Sequence, residues 1–408
     1  MSGKFYKKTV RDVPLQGKTV LVRADYNVPL LKGKIADDFR IRQSLPTLRY
    51  LRDQGCKIVI VSHLGRPKGM IAPAYTLEPV AERLGELLET PIQFVTDCIG
   101  DRPLQVAKKL GVGEVALFEN LRFHEGEEAN DPIFAKQLAE ASTAEYFVQD
   151  GFGVVHRAHA STEAITHLLP GVAGLLLEKE VQVLTHAMET PERPLVAVLG
   201  GAKVTDKITV IERFVEIADK IIIGGAMANT FLDYKGVAIG KSIFEPGLKE
   251  TMDRVYAAAT KKVGEDAVDE FIILPTDVAV ANAIDATARR SVVAVDEVTS
   301  DEYILDIGVQ SIEHAASLVA TAQTVVWSGT LGYAELPQFA HGSARMALTL
   351  AQHPQITSVI GGGDTVEFVL DWDAKKGGSF AHVSTGGSAS LELMAGQKLP
   401  GIEALMNA

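Results

Sequence analysis

The sequence predicts an α/β protein built from two doubly wound, parallel-sheet domains, and three observations carry that prediction. The first is length: 408 residues exceed one ordinary domain, which averages roughly 150 residues. The second is a recurring alternation of short apolar, β-branched runs with longer segments whose apolar residues fall near helical spacing. Continuous apolar strands are buried on both faces, the condition of a parallel sheet covered by helices. The third is a change in the residues just past the runs, which are charged in the first half of the chain and glycine in the second.

Taken in order, TVLVR at 19–23 ends in Asp25-Tyr26-Asn27, and a helical stretch at 42–54 leads to KIVIVS at 57–62. That run ends in His63-Leu64-Gly65-Arg66, and a second helical stretch occupies 76–88. VALFE at 115–119 ends in Asn120-Leu121-Arg122, and YFVQ at 146–149 ends in Asp150. Leu169-Pro170-Gly171 marks a seam, after which a helix-like segment at 175–188 leads to Pro191 and Pro194. Beyond it, LVAVL at 195–199 ends in Gly200-Gly201 and KIII at 220–223 in Gly224-Gly225. FIIL at 271–274 and TVVW at 324–327 come next, the latter ending in Ser328-Gly329. ITSVI at 356–360 ends in Gly361-Gly362-Gly363, and AHVS at 381–384 runs into Gly386-Gly387. This division places the domains at 1–170 and 171–390.

Composition narrows the function. With 47% hydrophobic and 23% charged residues, the chain buries real cores and is not disordered. A net charge of −12, from 40 basic against 52 acidic side chains, argues against nucleic acid or an anionic membrane as partner. Two cysteines, Cys56 and Cys98, make no disulfide framework, and no Cys/His spacing reads as a zinc site. The start lacks a signal-peptide core and no run of about 18 apolar residues occurs. A soluble, cytoplasmic protein is expected.

Ligands of open α/β sheets bind beyond the carboxyl ends of the strands. The first edge collects Arg23, Arg40, His63, Arg66, Arg122, His124, His156, Arg157 and His159. Guanidinium groups grip phosphate or carboxylate in two-pronged fashion, so this edge suits a small, multiply charged anion. The second edge offers glycines, which let backbone N–H groups approach phosphate oxygens at helix N-termini. Lys203 and Lys207 are expected in the first turn of a helix after Gly200-Gly201. The helix dipole disfavours a cation there, which points to anion duty. Asp364, in GGGDT, is placed to hold a Mg²⁺ that bridges nucleotide phosphates. The string GVAIGKS at 236–242 is one residue short of a phosphate-binding loop of the G-x-x-x-x-G-K type and reads as structural. No G-x-G-x-x-G opens a helix after a strand, against a dinucleotide dehydrogenase.

The chain resembles the phosphoglycerate kinase family from about Lys4 to Ala408. The resemblance rests on VRADYNVP at 22–29, SHLGRP at 62–67, FENLRFHEGEE at 118–128 and DGFGVVHRAHAST at 150–162. It continues in VLGGAKVTDKI at 198–208, IIIGGAMANTF at 221–231, GGGDT at 361–365 and HVSTGGSASLEL at 382–393. It implies two Rossmann-like domains joined by a hinge helix, with the last segment, after about Leu391, folding back on the N-terminal domain. It implies transfer of the acyl phosphate of 1,3-bisphosphoglycerate to ADP, giving 3-phosphoglycerate and ATP, with Mg²⁺, in a monomer. Asp25, Asn27, Arg40, His63, Arg66, Arg122 and Arg157 would bind phosphoglycerate on the N-terminal domain. Lys203, Lys207, Glu335, Gly361, Gly362, Gly363, Asp364 and Thr365 would hold the nucleotide on the C-terminal domain, Asp364 toward the metal. Arg40 and Lys203, with Gly386 and Gly387 at a helix N-terminus, would stabilise the transferring phosphoryl group.

Some positions depart from the family pattern. Ser328 and Thr330 stand in a segment that usually reads Trp-Asn-Gly-Pro, so the amide at 328 is lost. Ser388 replaces the usual third glycine, Val309 a usual proline, and Gln149 and Gly151 flank Asp150 where Asn and Ala are common. None removes a charged group. A catalytically weak nucleotide-binding relative is the alternative, and retention of Arg40, Lys203 and Asp364 argues against it.

Overall fold

The computed structural model describes residues 5–408; residues 1–4, where the first domain is expected to begin, lie outside it. The chain forms two compact units, one running up to Gln182 and taking in Gly396–Ala408, the other Val183–Ala395.

The first unit carries β1 (Thr19–Arg23), a two-stranded hairpin of β2 (Leu30–Leu31) and β3 (Lys34–Ile35), β4 (Lys57–Val61), β5 (Ile92–Val95), β6 (Val115–Phe118), β7 (Tyr146–Gln149) and β8 (Gly171–Ala173). Its helices are α1 (Phe39–Asp53), α2 (Glu78–Leu88), α3 (Asp101–Lys109), α4 (Glu125–Glu128), α5 (Pro132–Ser142) and the start of α6 (Leu175–Glu189). Six strands form one parallel sheet in the order β5-β6-β4-β1-β7-β8, with Val22 opposite Ile60 on one side and Val148 on the other. Val20, Val22, Ile58, Ile60, Leu117 and Val148 are fully buried and pack with Leu48 and Leu51 of α1 and Leu84 of α2. Each such side chain stabilises by about 1.5–3 kcal/mol, which makes the sheet a rigid frame for its strand ends.

The unit boundary falls inside α6, not at the Leu169-Pro170-Gly171 seam, because β8 is still a strand of the first sheet, pairing Val172 with Val148. The start of α6 is tied down as well. The Thr47 hydroxyl of α1 donates to Asp150 Oδ1 at 2.8 Å, and Leu175 and Leu176 donate their N–H groups to Thr47 Oγ1 and Asp150 Oδ1 at 2.9 and 3.1 Å. These contacts satisfy N–H groups that a helix start leaves unpaired.

The second unit contains β9 (Leu195–Leu199), β10 (Lys220–Ile223), β11 (Ile272–Ile273), β12 (Asp277–Ala281), β13 (Ser291–Ala294), β14 (Tyr303–Ile307), β15 (Thr324–Ser328), β16 (Thr357–Gly361) and β17 (His382–Val383). Its helices are α7 (Ile208–Ile217), α8 (Gly225–Tyr234), α9 (Lys249–Val263), α10 (Val268–Phe271), α11 (Val309–Ala320), α12 (His341–Gln352), α13 (Gly363–Trp372) and α14 (Ser388–Met394). A six-stranded parallel sheet runs β11-β10-β9-β15-β16-β17. Beside it stands an antiparallel sheet, β13-β12-β14, which sequence patterning did not show. In β12, Val278 and Val280 face one apolar cluster while Ala279 and Ala281 face another. The GVAIGKS string ends at this sheet: Gly240 bridges Tyr303, and Ser242 Oγ accepts the Ile304 N–H at 2.7 Å.

The chain end returns to the first unit with α15 (Pro400–Glu403). The return begins at Gly396, since α14 belongs to the second unit. Leu399, Ile402 and Leu405 are buried there. Lys7, itself buried, donates to the carbonyls of Glu403 and Leu405 at 2.7 and 3.0 Å, and the Gly401 N–H donates to Val155 O at 2.9 Å.

Candidate active site

Parallel pairing puts the carboxyl ends of the six sheet strands of the first unit on one edge, and the basic residues gather at and beyond those ends. Arg23, at the end of β1, is completely buried. Its Nε donates to Ser161 Oγ at 2.8 Å, its Nη1 to the Ala24 carbonyl, and its Nη2 lies 3.8 Å from Glu127 Oε1. Glu127, fully buried in α4, also accepts the Ser161 hydroxyl at 2.6 Å and N–H at 3.0 Å. A buried charge needs such pairing to be tolerated. Sequence reasoning missed this role, because EGEE reads as a solvated acidic turn.

Asp25, next along, forms an ion pair with Arg40 from the first turn of α1. The exposed Asn27 accepts the Gly65 N–H at 2.9 Å while Arg122 donates to the Gly65 carbonyl at the same distance. The turn bearing His63 and Arg66 is thus held from both sides, and Arg66 itself projects into solvent. Arg122 is buried, with Nε 3.3 Å from Glu128 Oε1. Arg157 is exposed and donates to His156 Nε2 at 3.1 Å.

The electrostatics show that these groups share one field. Burial pushes His63 well below its ordinary value, and the charges of Arg23, Arg122 and Arg40 push it further. His159 falls to about 4 by burial, aided by Arg23, Arg122 and Arg157. His156 is lowered by burial and by Arg157. Positive charge therefore resides on the arginines, and the histidines stay neutral near pH 7. Such an edge, cationic on its arginines and lined by neutral histidines, suits a small anion.

The second unit's edge is more closed than its glycines suggest. A Cβ on Gly200 would stand 2.1 Å from Thr330 O, and one on Gly329 would stand 2.0 Å from Gly200 O. These glycines are required by the approach of the β9 and β15 turns to each other. Gly363, at the start of α13, instead faces open space. Ser328 Oγ is buried with no hydrogen-bond partner among the described residues, and Thr365 is buried with Oγ1 accepting the Gly329 N–H at 2.5 Å. Asp364 is exposed in the first turn of α13. Gly386 and Gly387 precede α14, whose Ser390 Oγ would lie 3.3 Å from a Cβ on Gly361, so the two turns adjoin.

Contrary to the expectation from sequence, Lys203 lies outside any helix, and Lys207 sits in a 3₁₀ turn ahead of the α-helix rather than in its first turn. The Thr205 N–H and hydroxyl bind Glu245 at 3.0 and 2.5 Å, a 3₁₀ turn occupies Thr205–Lys207, and α7 begins only at Ile208. Lys203 is therefore exposed on irregular chain. Lys207 folds back, its Nζ donating to the carbonyls of Gly200 and Ser328 at 2.8 and 2.9 Å. Burial lowers it to about 8, offset in part by Asp364 and Asp206.

An open pocket joins these parts. Gly201, Ala202 and Asp364 line one part of it, apolar side chains including Ile243, Pro275, Val278 and Ile304 another, and Glu335 also borders it. Its antiparallel-sheet wall is what sequence patterning missed. Apolar walls of this kind can take a flat heterocycle, and an exposed carboxylate such as that of Glu335 can accept from hydroxyl groups. Mg²⁺ takes one or two carboxylates and leaves its other positions to phosphates and water. Asp364, exposed on the lining and with no side-chain hydrogen bond or ion pair among the described residues, fits that requirement.

The phosphoglycerate kinase family model matches residues 10–397. Phosphoglycerate kinases of Pelotomaculum thermopropionicum and Moorella thermoacetica are 44% and 46% identical over 401 and 400 residues, each spanning 98% of this chain and 99% of the relative. The solved phosphoglycerate kinase of Coxiella burnetii superposes with a TM-score of 0.83 at 36% identity, covering 98% of both chains. That of Pyrococcus horikoshii gives 0.82 at 32% identity, again over 98% of both. No helix among the described residues is long and apolar enough to cross a membrane.

Proposed function

The chain belongs to the phosphoglycerate kinase family, and we propose that its two units divide that family's reaction between them. The reaction is reversible transfer of the acyl phosphate of 1,3-bisphosphoglycerate to ADP, yielding 3-phosphoglycerate and ATP. The observation that carries the division is the chemical contrast of the two edges. One is a set of arginines in a common field with neutral histidines; the other is an apolar pocket ending at a helix N-terminus.

In this reading the exposed Arg66 and Arg157 take the phosphoglycerate's own phosphate, while Asn27 and Arg122 fix the turn that carries Arg66. His63, kept neutral, offers a ring N–H without adding charge, and Asp25 holds Arg40 until the transferring group competes for it. In the second unit the pocket takes the nucleoside, Glu335 the ribose, and Gly361, Gly362, Gly363, Asp364 and Thr365 form the phosphate end. Lys207 neutralises strand-end carbonyls beside that end. Mg²⁺, when bound at Asp364, screens the nucleotide's phosphate charge.

The bond from phosphorus to the acyl oxygen breaks as a bond to the terminal oxygen of ADP forms. Leaving carboxylate and attacking phosphate oxygen are both weak bases, so no proton must move and no side-chain nucleophile is needed. Catalysis is then positioning and charge neutralisation of a metaphosphate-like group by Arg40, Lys203 and the Gly386-Gly387 turn. Donor and acceptor belong to different units, so closure must precede chemistry and exclude water from the reactive acyl phosphate. One chain carries both halves, so a monomer suffices for the reaction.

Calorimetry on Arg66→Ala tests the division. 3-Phosphoglycerate affinity should fall while ADP affinity is unchanged, and the reverse pattern would mean that the two units had been assigned the wrong substrates.

A further inference from the structure

Strands β5 and β6 are neighbours in the first sheet, Val95 standing opposite Phe118. Their carboxyl ends therefore deliver the loops at 96–100 and 119–124 side by side. Three donors of different kinds meet there: a carboxylate oxygen of Asp97, the sulfur of Cys98 and an imidazole nitrogen of His124, all within 4.8 Å of one another. None of the three is among the groups assigned above to the phosphoryl transfer.

The arrangement is anchored. The His124 ring stacks on Phe134 with centroids 5.3 Å apart, and its Nε2 lies 2.8 Å from Asp97 Oδ1. The same oxygen accepts the Cys98 N–H at 2.7 Å, which fixes the carboxylate beside the thiol. Cys98 is buried while Asp97 and His124 are partly exposed, so the set is closed behind the sulfur and open at its oxygen and nitrogen. An ion pair of Asp97 with His124 accounts for two of these groups but not for a thiol converging on the same point.

We propose that Asp97, Cys98 and His124 bind a divalent cation of the zinc type, with water completing a tetrahedron. The donor set selects the metal: sulfur with imidazole and carboxylate suits a borderline cation and disfavours Mg²⁺ or Ca²⁺, which want oxygen. On binding, the Cys98 thiol releases its proton to solvent as the sulfur–metal bond forms, and the proton that His124 Nε2 donates to Asp97 is exchanged through solvent for one on Nδ1, so that the Nε2 lone pair faces the metal. Thiolate and carboxylate then balance the ion's two charges, leaving a neutral centre that the buried sulfur side tolerates. Bonds of about 2.0–2.3 Å at tetrahedral angles set donors roughly 3.4 Å apart, so the Asp97–His124 pair must open by about half an ångström.

Co²⁺ added to the full-length, nucleotide-free protein reads the site. The expected result is one equivalent bound with the intense visible bands of a tetrahedral ion and a near-ultraviolet thiolate-to-cobalt band, both bleached by Zn²⁺. The near-ultraviolet band should vanish in Cys98→Ser. His124→Asn, which alters the open side, should abolish the one-equivalent complex and carries the test if the buried serine disturbs folding. A wild-type titration with no thiolate band, or a band that persists in either variant, overturns the proposal; Co²⁺ at a carboxylate such as Asp364 produces no such band.

Discussion

Gly401 offers the sharpest link between the returning chain end and the phosphoglycerate half-site. It sits in α15 with its N–H on Val155 O at 2.9 Å, and Val155 lies two residues before Arg157. A Cβ at 401 would stand 2.9 Å from Val155 Cα, 3.1 Å from its Cβ and 3.2 Å from its Cγ1. Carbon atoms rest at about 3.5–4.0 Å, so Gly401→Ala forces a displacement of roughly 0.6–1 Å. The nearest atom is backbone, and no rotamer change relieves it. Overpacking of this kind costs about 1–3 kcal/mol, equivalent to a melting temperature lower by about 2–12 °C for a unit of this size. The shift is delivered to the segment bearing His156 and Arg157, so KM for 3-phosphoglycerate should rise while KM for ADP stays constant. Scanning calorimetry and steady-state kinetics with each substrate varied provide the measurement. Wild-type stability with an unchanged 3-phosphoglycerate KM, or a rise confined to ADP, would refute the buttressing role.

Lys203→Ala should cost about 2–4 kcal/mol, mostly in kcat, as for a preorganised charge acting on the transferring group; an unchanged kcat contradicts the assignment. Binding of 3-phosphoglycerate below about pH 6.5 should take up protons, because an anion among Arg23, Arg122 and Arg157 reverses the field that holds His159 near 4 and lowers His63 and His156. Calorimetry in buffers of different ionisation enthalpy measures that uptake, and binding without uptake would show the histidines to be charged already. Burial raises Asp150 to about 7, so the folded state holds a proton there that the unfolded state loses near pH 4. That contribution is complete below about pH 4 and is lost as pH rises through about 7, by up to about 4 kcal/mol. Asp150→Asn should therefore lose less stability than wild type between pH 5 and pH 8 in urea unfolding, with Asp306, raised likewise to about 7, among the groups that contribute to the slope that remains; equal slopes would show Asp150 ionised throughout.

How legible the fold was depended on where each strand lies. The runs at β1, β7, β9 and β10 match the structure to the residue, because a central parallel strand buried on both faces is apolar throughout. β5 was hidden because IQFV alternates in exposure at the sheet edge, and β8 because Gly-Val-Ala is too short to show a period. The antiparallel sheet escaped for a different reason. β12 alternates valine with alanine, a weak strand former, β13 is half exposed, and β14 carries the buried Asp306 within an apolar run.

The same asymmetry governs the sites. Arginines and histidines in strand-end turns are conspicuous in an acidic chain, so the first edge could be assembled from spacing alone, whereas its support, the Glu127 carboxylate under Arg23, resembles any surface glutamate until its burial is seen. The pocket of the second unit is harder still, because a wall of Pro275, Val278 and Ile304 differs from core only in what stands opposite it. Glycine pairs were visible, but spacing cannot separate a glycine that admits a ligand from one that admits a neighbouring turn. Gly200 and Gly329 are of the second kind and Gly363 is free to be of the first. Cys98 and His124 are separated by 25 intervening residues, a distance no metal-site spacing rule covers, and only the pairing of β5 with β6 makes them neighbours. Residue type thus reveals chemistry when charge is spent against composition, and topology must supply it when the same groups are ordinary.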